Sequence, residues 1–265
     1  MHQELYKDQI NYEYHAGEVK RDLIVLVHPS GISLKVWGEV VQGFKSEYDI
    51  LAIDLPGHGQ SPDPATDANW RIPTLAKMIK ELSGSLGYES VHYVGTSIGG
   101  AIGQELFLES PEFIKSAVIT NTHSKIGEQS GWQLRADNVR SIGLKTMAKE
   151  IVPRWFAPLY LENKAAIEIW QTALENTGNE GYAQLSEALG EWSATDRLPN
   201  RDPNIPVLCI AGSEDPAMPL ENMQKLAGLV GGQDLKVMSV GHVPSVEAPD
   251  EFNQVLRAWF GNVKA

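Results

Sequence analysis

The sequence has a single cysteine, Cys209, which excludes an internal disulfide. It also lacks long apolar runs: no stretch approaches membrane-spanning length, and residues 1–14 do not have the continuous apolar segment of a signal peptide. Cys209 lies within the apolar run 207–210 and is predicted to be buried in a strand. These absences predict a cytoplasmic protein without a membrane partner.

Basic residues are scarce as well, since 22 Lys and Arg stand against 34 Asp and Glu, giving a formal net charge of −12. A phosphate backbone repels such a protein, so we expect no nucleic-acid partner. An anionic small substrate stays compatible with this charge, because an arginine in a pocket acts locally. Whether copies of the chain associate stays open.

Motifs for metals and common cofactors are also missing. The chain has no His-Glu-x-x-His, no cluster of Cys and His, and no Gly-x-x-x-x-Gly-Lys-Ser/Thr phosphate loop. The glycines of residues 95–100 lack the Gly-x-Gly opening of a dinucleotide site. We therefore expect chemistry that needs neither a metal nor a cofactor.

What the sequence does contain is an alternation of short apolar runs with helical patterns. The runs are typical of buried parallel strands, and the alternation predicts an α/β fold whose sheet is covered on both faces. Residues 11–15 are expected to add an antiparallel edge strand. The predicted strands are 23–27, 50–53, 91–94, 117–120, 207–211 and 235–240, and the predicted helices between them are 74–86, 98–109, 220–230 and 249–260.

Residues 122–200 interrupt this alternation with helical patterns at 141–152, 164–175 and 182–192. One interpretation is a helical insertion with its own small core. Another is a lid over the carboxyl edge of the sheet, which would supply an apolar pocket. Both interpretations stay open for the four tryptophans of this stretch, which are Trp132, Trp155, Trp170 and Trp192.

The pattern Gly-x-Ser-x-Gly places Ser97 between Gly95 and Gly99, where a predicted strand gives way to a helix. A sharp turn at this point exposes the hydroxyl, and the glycines relieve the crowding that the turn creates. A serine hydroxyl is a weak nucleophile that needs a histidine base, and the base needs a carboxylate to orient it. The pattern therefore predicts Ser97 as a nucleophile.

Two further residues follow later strands in the order that this architecture requires, acid before histidine. Asp215 comes shortly after strand 207–211, and His242 comes shortly after strand 235–240. Because carboxyl ends of parallel strands meet at one sheet edge, we expect both to lie near Ser97, with Asp215 orienting His242 as the base. Glu214 is the alternative acid.

Two backbone N–H groups are candidates for an oxyanion hole. Ile98 begins the helix after Ser97, and Ser30 lies in the loop after strand 23–27. The alternative interpretation of this loop is a plain turn without a role in catalysis. The turn 54–61 is predicted to be structural, with Asp54 and Ser61 bonding to the backbone; His58 as the catalytic base is the weaker alternative.

Four motifs together resemble the α/β-hydrolase family across essentially the whole chain: Asp-x-Pro-Gly-His-Gly-x-Ser at 54–61, Gly-x-Ser-x-Gly-Gly at 95–100, Gly-x-x-Asp at 212–215 and Gly-His at 241–242. The resemblance implies a mostly parallel central sheet flanked by helices, with a helical cap inserted after the sixth strand. The core would comprise residues 1–121 and 201–265, and the cap residues 122–200. Ser97, His242 and Asp215 would be the catalytic residues. Pro29 departs from the family pattern, in which glycine often follows the histidine.

Within the family, the lid is similar to that of 3-oxoadipate enol-lactonases at residues 120–122, at Trp132 with Arg135, and at 154–158 and 181–183. The similarity implies hydrolysis of an enol-lactone that carries a carboxylate, in aromatic catabolism. Arg135 and Arg154 are candidates for binding that carboxylate, or are solvated helix residues. Trp132 and Trp155 are further candidates for substrate contact.

The leading hypothesis is a carboxylic ester hydrolase that opens an ester or lactone through an acyl-enzyme. A general carboxylesterase, with or without perhydrolase activity, needs only the same triad. A carbon–carbon bond hydrolase fits less well, because such relatives usually carry tryptophan where this chain has Val243. A ligand receptor built on a hydrolase scaffold is the alternative from a different class.

Overall fold

The computed structural model describes residues 2–231 and 235–263, which form an eight-stranded sheet in the order β1-β2-β4-β3-β5-β6-β7-β8. β2 pairs antiparallel with β1 and with β4, and the neighbouring strands from β4 to β8 pair in parallel. The strands are β1 His2–Tyr6, β2 Ile10–His15, β3 Leu23–Val27, β4 Asp49–Ile53, β5 Val91–Thr96, β6 Ile114–Thr120, β7 Val207–Gly212 and β8 Leu235–Met238.

Helices cover both faces of this sheet because successive side chains of a strand point to opposite sides. In β3, Leu23, Val25 and Val27 pack in one buried cluster, while Ile24 and Leu26 pack in the other. The helices are α1 Gly38–Phe44, α2 Ile72–Ser85, α3 Ile98–Glu109, α4 Gln129–Ile142, α5 Leu144–Ile151, α6 Lys164–Glu175, α7 Asn179–Glu191, α8 Leu220–Leu229, α9 Pro244–Glu247 and α10 Pro249–Val263. Short 3-10 helices lie at Leu34–Trp37, Pro111–Phe113, Val152–Trp155, Tyr160–Glu162 and Leu198–Asn200.

The predicted architecture, a mostly parallel sheet with helices on both faces, is confirmed. The first buried cluster packs α2, α3 and α8 against one face of the sheet, and the second packs α1 and α10 against the other. The helices α4 to α7 all lie between β6 and β7, so the helical insertion follows the sixth strand, as expected. Cys209 is buried in β7, and none of the described helices is long and apolar enough to cross a bilayer.

The edges of the sheet differ from the expectation. β1 pairs outside β2, so residues 11–15 are not the edge strand that the sequence predicted. At the opposite edge, β8 ends at Met238 instead of residue 240, and Lys236 and Val237 are exposed. An edge strand has a neighbour on one side only, which leaves part of its surface open to solvent.

The helical insertion also differs in detail. The range 141–152, predicted as one helix, contains the end of α4 and the whole of α5. α4 ends at Ile142, and Gly143 turns the chain with a φ of 76° before α5 begins at Leu144. The helix α4 itself was not predicted, because only Ala136 and Val139 of its fourteen residues are buried, which leaves little apolar periodicity.

Candidate active site

Ser97 occupies the turn between β5 and α3 with φ 57° and ψ −116°, a conformation that costs a non-glycine residue on the order of 1–3 kcal/mol. The turn needs glycine on both sides. A Cβ on Gly95 would lie 2.3 Å from the carbonyl oxygen of Gly99, and a Cβ on Gly99 would lie 2.3 Å from that of Val27. The Ser97 carbonyl accepts a hydrogen bond from the Thr122 hydroxyl at 2.8 Å, which helps to hold the strained turn.

His242 and Asp215 are buried and joined by a hydrogen bond of 2.6 Å between Nδ1 and Oδ2. The other carboxylate oxygen of Asp215 accepts from the backbone N–H of Ala217 at 2.7 Å and of Met218 at 2.9 Å. Because an ionised carboxylate only accepts, His242 donates its Nδ1 proton and keeps Nε2 free to act as a base. Glu214, the alternative acid, is exposed, and the structure pairs Asp215 with the histidine.

Asn121, which follows β6, ties together the loops that carry the acid and the histidine. Its side chain donates to the Gly241 carbonyl at 2.9 Å and accepts from the Gly212 N–H at 2.8 Å. This role of Asn121 was not predicted from the sequence, because its partners Gly212 and Gly241 lie 91 and 120 residues away. In the structure Asn121 has a positive φ of 44°, which asparagine tolerates better than most residues.

Of the two expected oxyanion donors, Ile98 directly follows Ser97 and Ser30 lines the same cavity as Ser97. Ile98 is the first residue of α3, so its N–H belongs to those that a helix N-terminus leaves without an intrahelical acceptor. Ser30 follows a loop held by His28, which donates from Nδ1 to the Pro29 carbonyl at 2.7 Å and accepts the Leu55 N–H at Nε2 at 2.9 Å. Burial lowers the pKa of His28 to about 4, so the ring is neutral and keeps this bonding pattern.

A cavity of about 330 Å³ lies above Ser97, between the sheet edge and the helical insertion. Asp215 and Ile98 do not line this cavity; Asp215 contacts it through its bond to His242, and Ile98 is buried. The structure thus gathers the core residues and the four candidates of the insertion around one space. The predicted residues that line the cavity are Ser30, Ser97, Trp132, Arg135, Arg154, Trp155 and His242.

Three of the four tryptophans of the insertion divide between the two interpretations that the sequence left open. Trp132 and Trp155 line the cavity. Trp170 is half-buried and donates to the Tyr160 hydroxyl at 3.1 Å, within the insertion. Trp192 is buried and donates to Glu105 of α3 at 2.8 Å, so it packs against the core and fits neither interpretation. The insertion therefore has packing of its own and also forms a wall of the cavity.

Tyr182 of α7 lines the same cavity and was not assigned a role from the sequence. Its ring is buried and stacks on His58, with ring centroids 6.2 Å apart. Burial raises the pKa of the Tyr182 hydroxyl, while the guanidinium groups of Arg135 and Arg154 act in the opposite direction. The phenol oxygen therefore faces two positive charges, and neither Arg135 nor Arg154 has a carboxylate ion-pair partner among the described residues.

The turn 54–61 has the structural role predicted for it. Asp54 accepts from the backbone of Leu34 at 2.7 Å and of Gln60 at 2.9 Å, and Ser61 donates to the Asp54 carbonyl at 2.7 Å. His58 donates from Nδ1 to the Pro56 carbonyl at 2.8 Å and is not among the residues that line the cavity. Burial and the neighbouring His28 lower the pKa of His58 to about 3. The described ranges hold no cluster of His, Cys, Asp or Glu arranged to bind a metal ion.

Comparison with known proteins agrees with this fold. Residues 22–249 match the family described as the alpha/beta hydrolase fold. The chain is 32% identical to 3-oxoadipate enol-lactonase 2 of Acinetobacter baylyi, over 91% of this chain and 90% of that protein. It is 25% identical to (E)-2-((N-methylformamido)methylene)succinate hydrolase of the same organism, over 89% of each chain. The crystal structure of the enol-lactonase from Burkholderia xenovorans LB400 superposes with a TM-score of 0.90 at 25% identity, covering 95% of this chain and 96% of that one.

Proposed function

The chain belongs to the α/β-hydrolase family, and from that premise we propose that it is a serine hydrolase that cleaves an ester or lactone through an acyl-enzyme. The observation that carries the proposal is the 2.6 Å bond between His242 and Asp215, because that bond leaves His242 Nε2 as a base in the cavity that Ser97 also lines.

In the proposed reaction, His242 Nε2 takes the hydroxyl proton as Ser97 Oγ attacks the carbonyl carbon. The negative charge that develops on the carbonyl oxygen is stabilised by the N–H groups of Ile98 and Ser30. Collapse of the tetrahedral intermediate breaks the ester bond, and His242 gives its proton to the leaving oxygen. Water then attacks the acyl-enzyme, with His242 again as base, and releases the acid and free Ser97.

For the substrate, we propose a lactone of the 3-oxoadipate enol-lactone type, whose ring opening yields an enol that becomes a ketone. Support comes from the similarity to the enol-lactonase of Acinetobacter baylyi and from Arg135 and Arg154 at the cavity wall. Guanidinium groups without a carboxylate partner suit the carboxylate of such a substrate, because they form paired, charge-assisted hydrogen bonds with it. Residues 122–200 would act as the cap that closes over it, on a core of residues 1–121 and 201–265.

Ser97→Ala tests the mechanism. The variant keeps the fold but has no nucleophile, so kcat for enol-lactone hydrolysis should fall by roughly 10⁴-fold to 10⁶-fold. Initial rates are measured on the lactone and on p-nitrophenyl acetate, with circular dichroism to confirm folding. Undiminished turnover by folded Ser97→Ala would contradict the mechanism. If the wild-type protein hydrolyses p-nitrophenyl acetate but not the lactone, the proposed lactone substrate is wrong and the protein is a general carboxylesterase.

A further inference from the structure

Glu247, the last residue of α9, contacts two separate parts of the chain with one carboxylate. Its Oε2 accepts the N–H of Ala157 at 2.8 Å and the N–H of Gly241 at 3.1 Å, and Oε1 accepts the N–H of Val243 at 3.4 Å. Gly241 and Val243 flank the catalytic histidine, whereas Ala157 belongs to the helical insertion. The carboxylate therefore connects the loop of the base with the wall of the cavity.

The two segments also touch directly. The His242 N–H donates to the Trp155 carbonyl at 2.8 Å, and a Cβ on Gly241 would lie 2.6 Å from the Ala157 nitrogen. Trp155 lines the cavity beside His242. Displacement of residues 155–157 would therefore move the backbone that sets the position of the imidazole.

We propose that Glu247 is a positioning residue that fixes the His242 loop and the cavity wall at residues 155–157 in one arrangement. The inference rests on the proposed function, because it assigns Glu247 to the catalytic geometry of that same site. The residue touches neither substrate nor the reacting atoms, and it acts through the backbone on either side of His242.

A carboxylate suits this place because three backbone N–H groups converge on it, and it can accept from all three. Burial raises the pKa of Glu247, as does the charge of Asp215, and the three N–H donors oppose this rise. Tyr160, from the insertion, also faces the carboxylate, and its own pKa is raised by burial and by Glu247. Removing the side chain would leave the N–H groups of Ala157 and Gly241 without this acceptor, and the loop would lose its link to the wall.

The test compares Glu247→Ala, Glu247→Gln and the control Glu251→Ala. Glu251 lies four residues further on and is exposed, and among the described residues its one ion-pair partner is Lys236 at 3.8 Å. Reactive sites are first counted from the p-nitrophenol released by an irreversible p-nitrophenyl phosphonate. The kcat for p-nitrophenyl acetate is then calculated per reactive site, and KM is measured in the same assay. Unfolded molecules therefore do not lower the measured kcat.

We expect Glu247→Ala to lower kcat per reactive site by about 10-fold to 100-fold, since displacement of a catalytic group by about 1 Å has an effect of this order. KM for this small ester should change less than kcat. Glu247→Gln keeps one acceptor oxygen and should recover most of the loss, and Glu251→Ala should match wild type.

Wild-type kcat per reactive site in Glu247→Ala would overturn the inference, even if the fraction of reactive sites falls, because that result describes a stabilising residue only. An equal loss in Glu251→Ala would also overturn it. Phosphonate reaction of Ser97→Ala at the wild-type rate would instead count against the proposed function, so the two failures are distinguishable.

Discussion

At the scale of single residues, His28 and His58 form a buried pair whose ring centroids are 5.4 Å apart. Burial lowers the pKa of His28 to about 4 and, with the charge of His28, that of His58 to about 3. Both rings are therefore neutral in the native protein under conditions in which an unfolded histidine, with a pKa near 6.5, takes up a proton. Their bonds to the Pro29 and Pro56 carbonyls hold the loops on either side.

This pair predicts a loss of stability in mild acid. Because the folded pKa is lower than the unfolded one, the unfolded state binds more protons below about pH 6.5, and the free energy of unfolding falls as pH falls toward the folded values. Between pH 7.5 and 5.0 each histidine contributes a loss of about 2 kcal/mol. Urea unfolding at the two pH values should therefore show a smaller difference for His58→Asn than for wild type. An identical difference in the two proteins would contradict the assignment of a neutral buried ring.

Candidate catalytic residues that follow strands could be predicted from the sequence. Ser97, Asp215 and His242 each follow a strand, and the sheet brings such positions together at one edge. Tyr182 and Glu247 could not be predicted, because their partners come from distant segments: Glu247 accepts from Ala157, 90 residues away. No short pattern encodes a contact that depends on how the insertion packs against the core.

At the scale of elements, prediction was accurate where a local pattern and clear end signals coincide with tertiary packing. The helix predicted at 98–109 is α3 with the same bounds, and ten of its twelve residues are buried. The helix predicted at 164–175 is likewise α6, which begins after Asn163; the Asn163 side chain accepts the Ala166 N–H and caps the helix. In both, the local pattern and the tertiary packing favour the same conformation.

Prediction failed where tertiary contacts alone hold an element. α4 presents little apolar surface, but it packs along α7, and Arg140 pairs with Glu180 and Glu187 of that helix. β1 forms because β2 offers it an open edge, which periodicity does not reveal. Helix–helix pairing and edge pairing are decided by neighbours that the local sequence does not contain.

At the scale of the whole molecule, the charge of the chain and the charge of the cavity have opposite signs. The formal net charge is −12, yet the residues that line the cavity include Arg135, Arg154 and Lys125. Lys125 is paired with Glu128 at 2.7 Å, which leaves the two arginines as the cations available to a substrate. The local field thus favours an anion in a protein that repels anions elsewhere.

Arg135→Gln tests this local field. Loss of one charge-assisted contact should raise KM for the carboxylate-bearing enol-lactone by about 10-fold to 100-fold. KM for the methyl ester of the same lactone should stay within about twofold, since that substrate carries no charge for the guanidinium to bind. Arg21→Gln is the control, because Arg21 is not among the residues that line the cavity and its guanidinium donates to the Lys45 carbonyl. Equal effects on the acid and its methyl ester would show that Arg135 does not bind the carboxylate.

The account as a whole depends on a hydroxyl activated by the paired His242 and Asp215. The most direct measurement is peptide mass spectrometry after reaction with a fluorophosphonate, which forms a stable bond with an activated serine. We predict one adduct per chain, on the peptide that contains Ser97, a parallel loss of lactone hydrolysis, and no adduct in Ser97→Ala. An adduct on a different residue, or an unlabelled wild-type protein that still hydrolyses the lactone, would contradict the account.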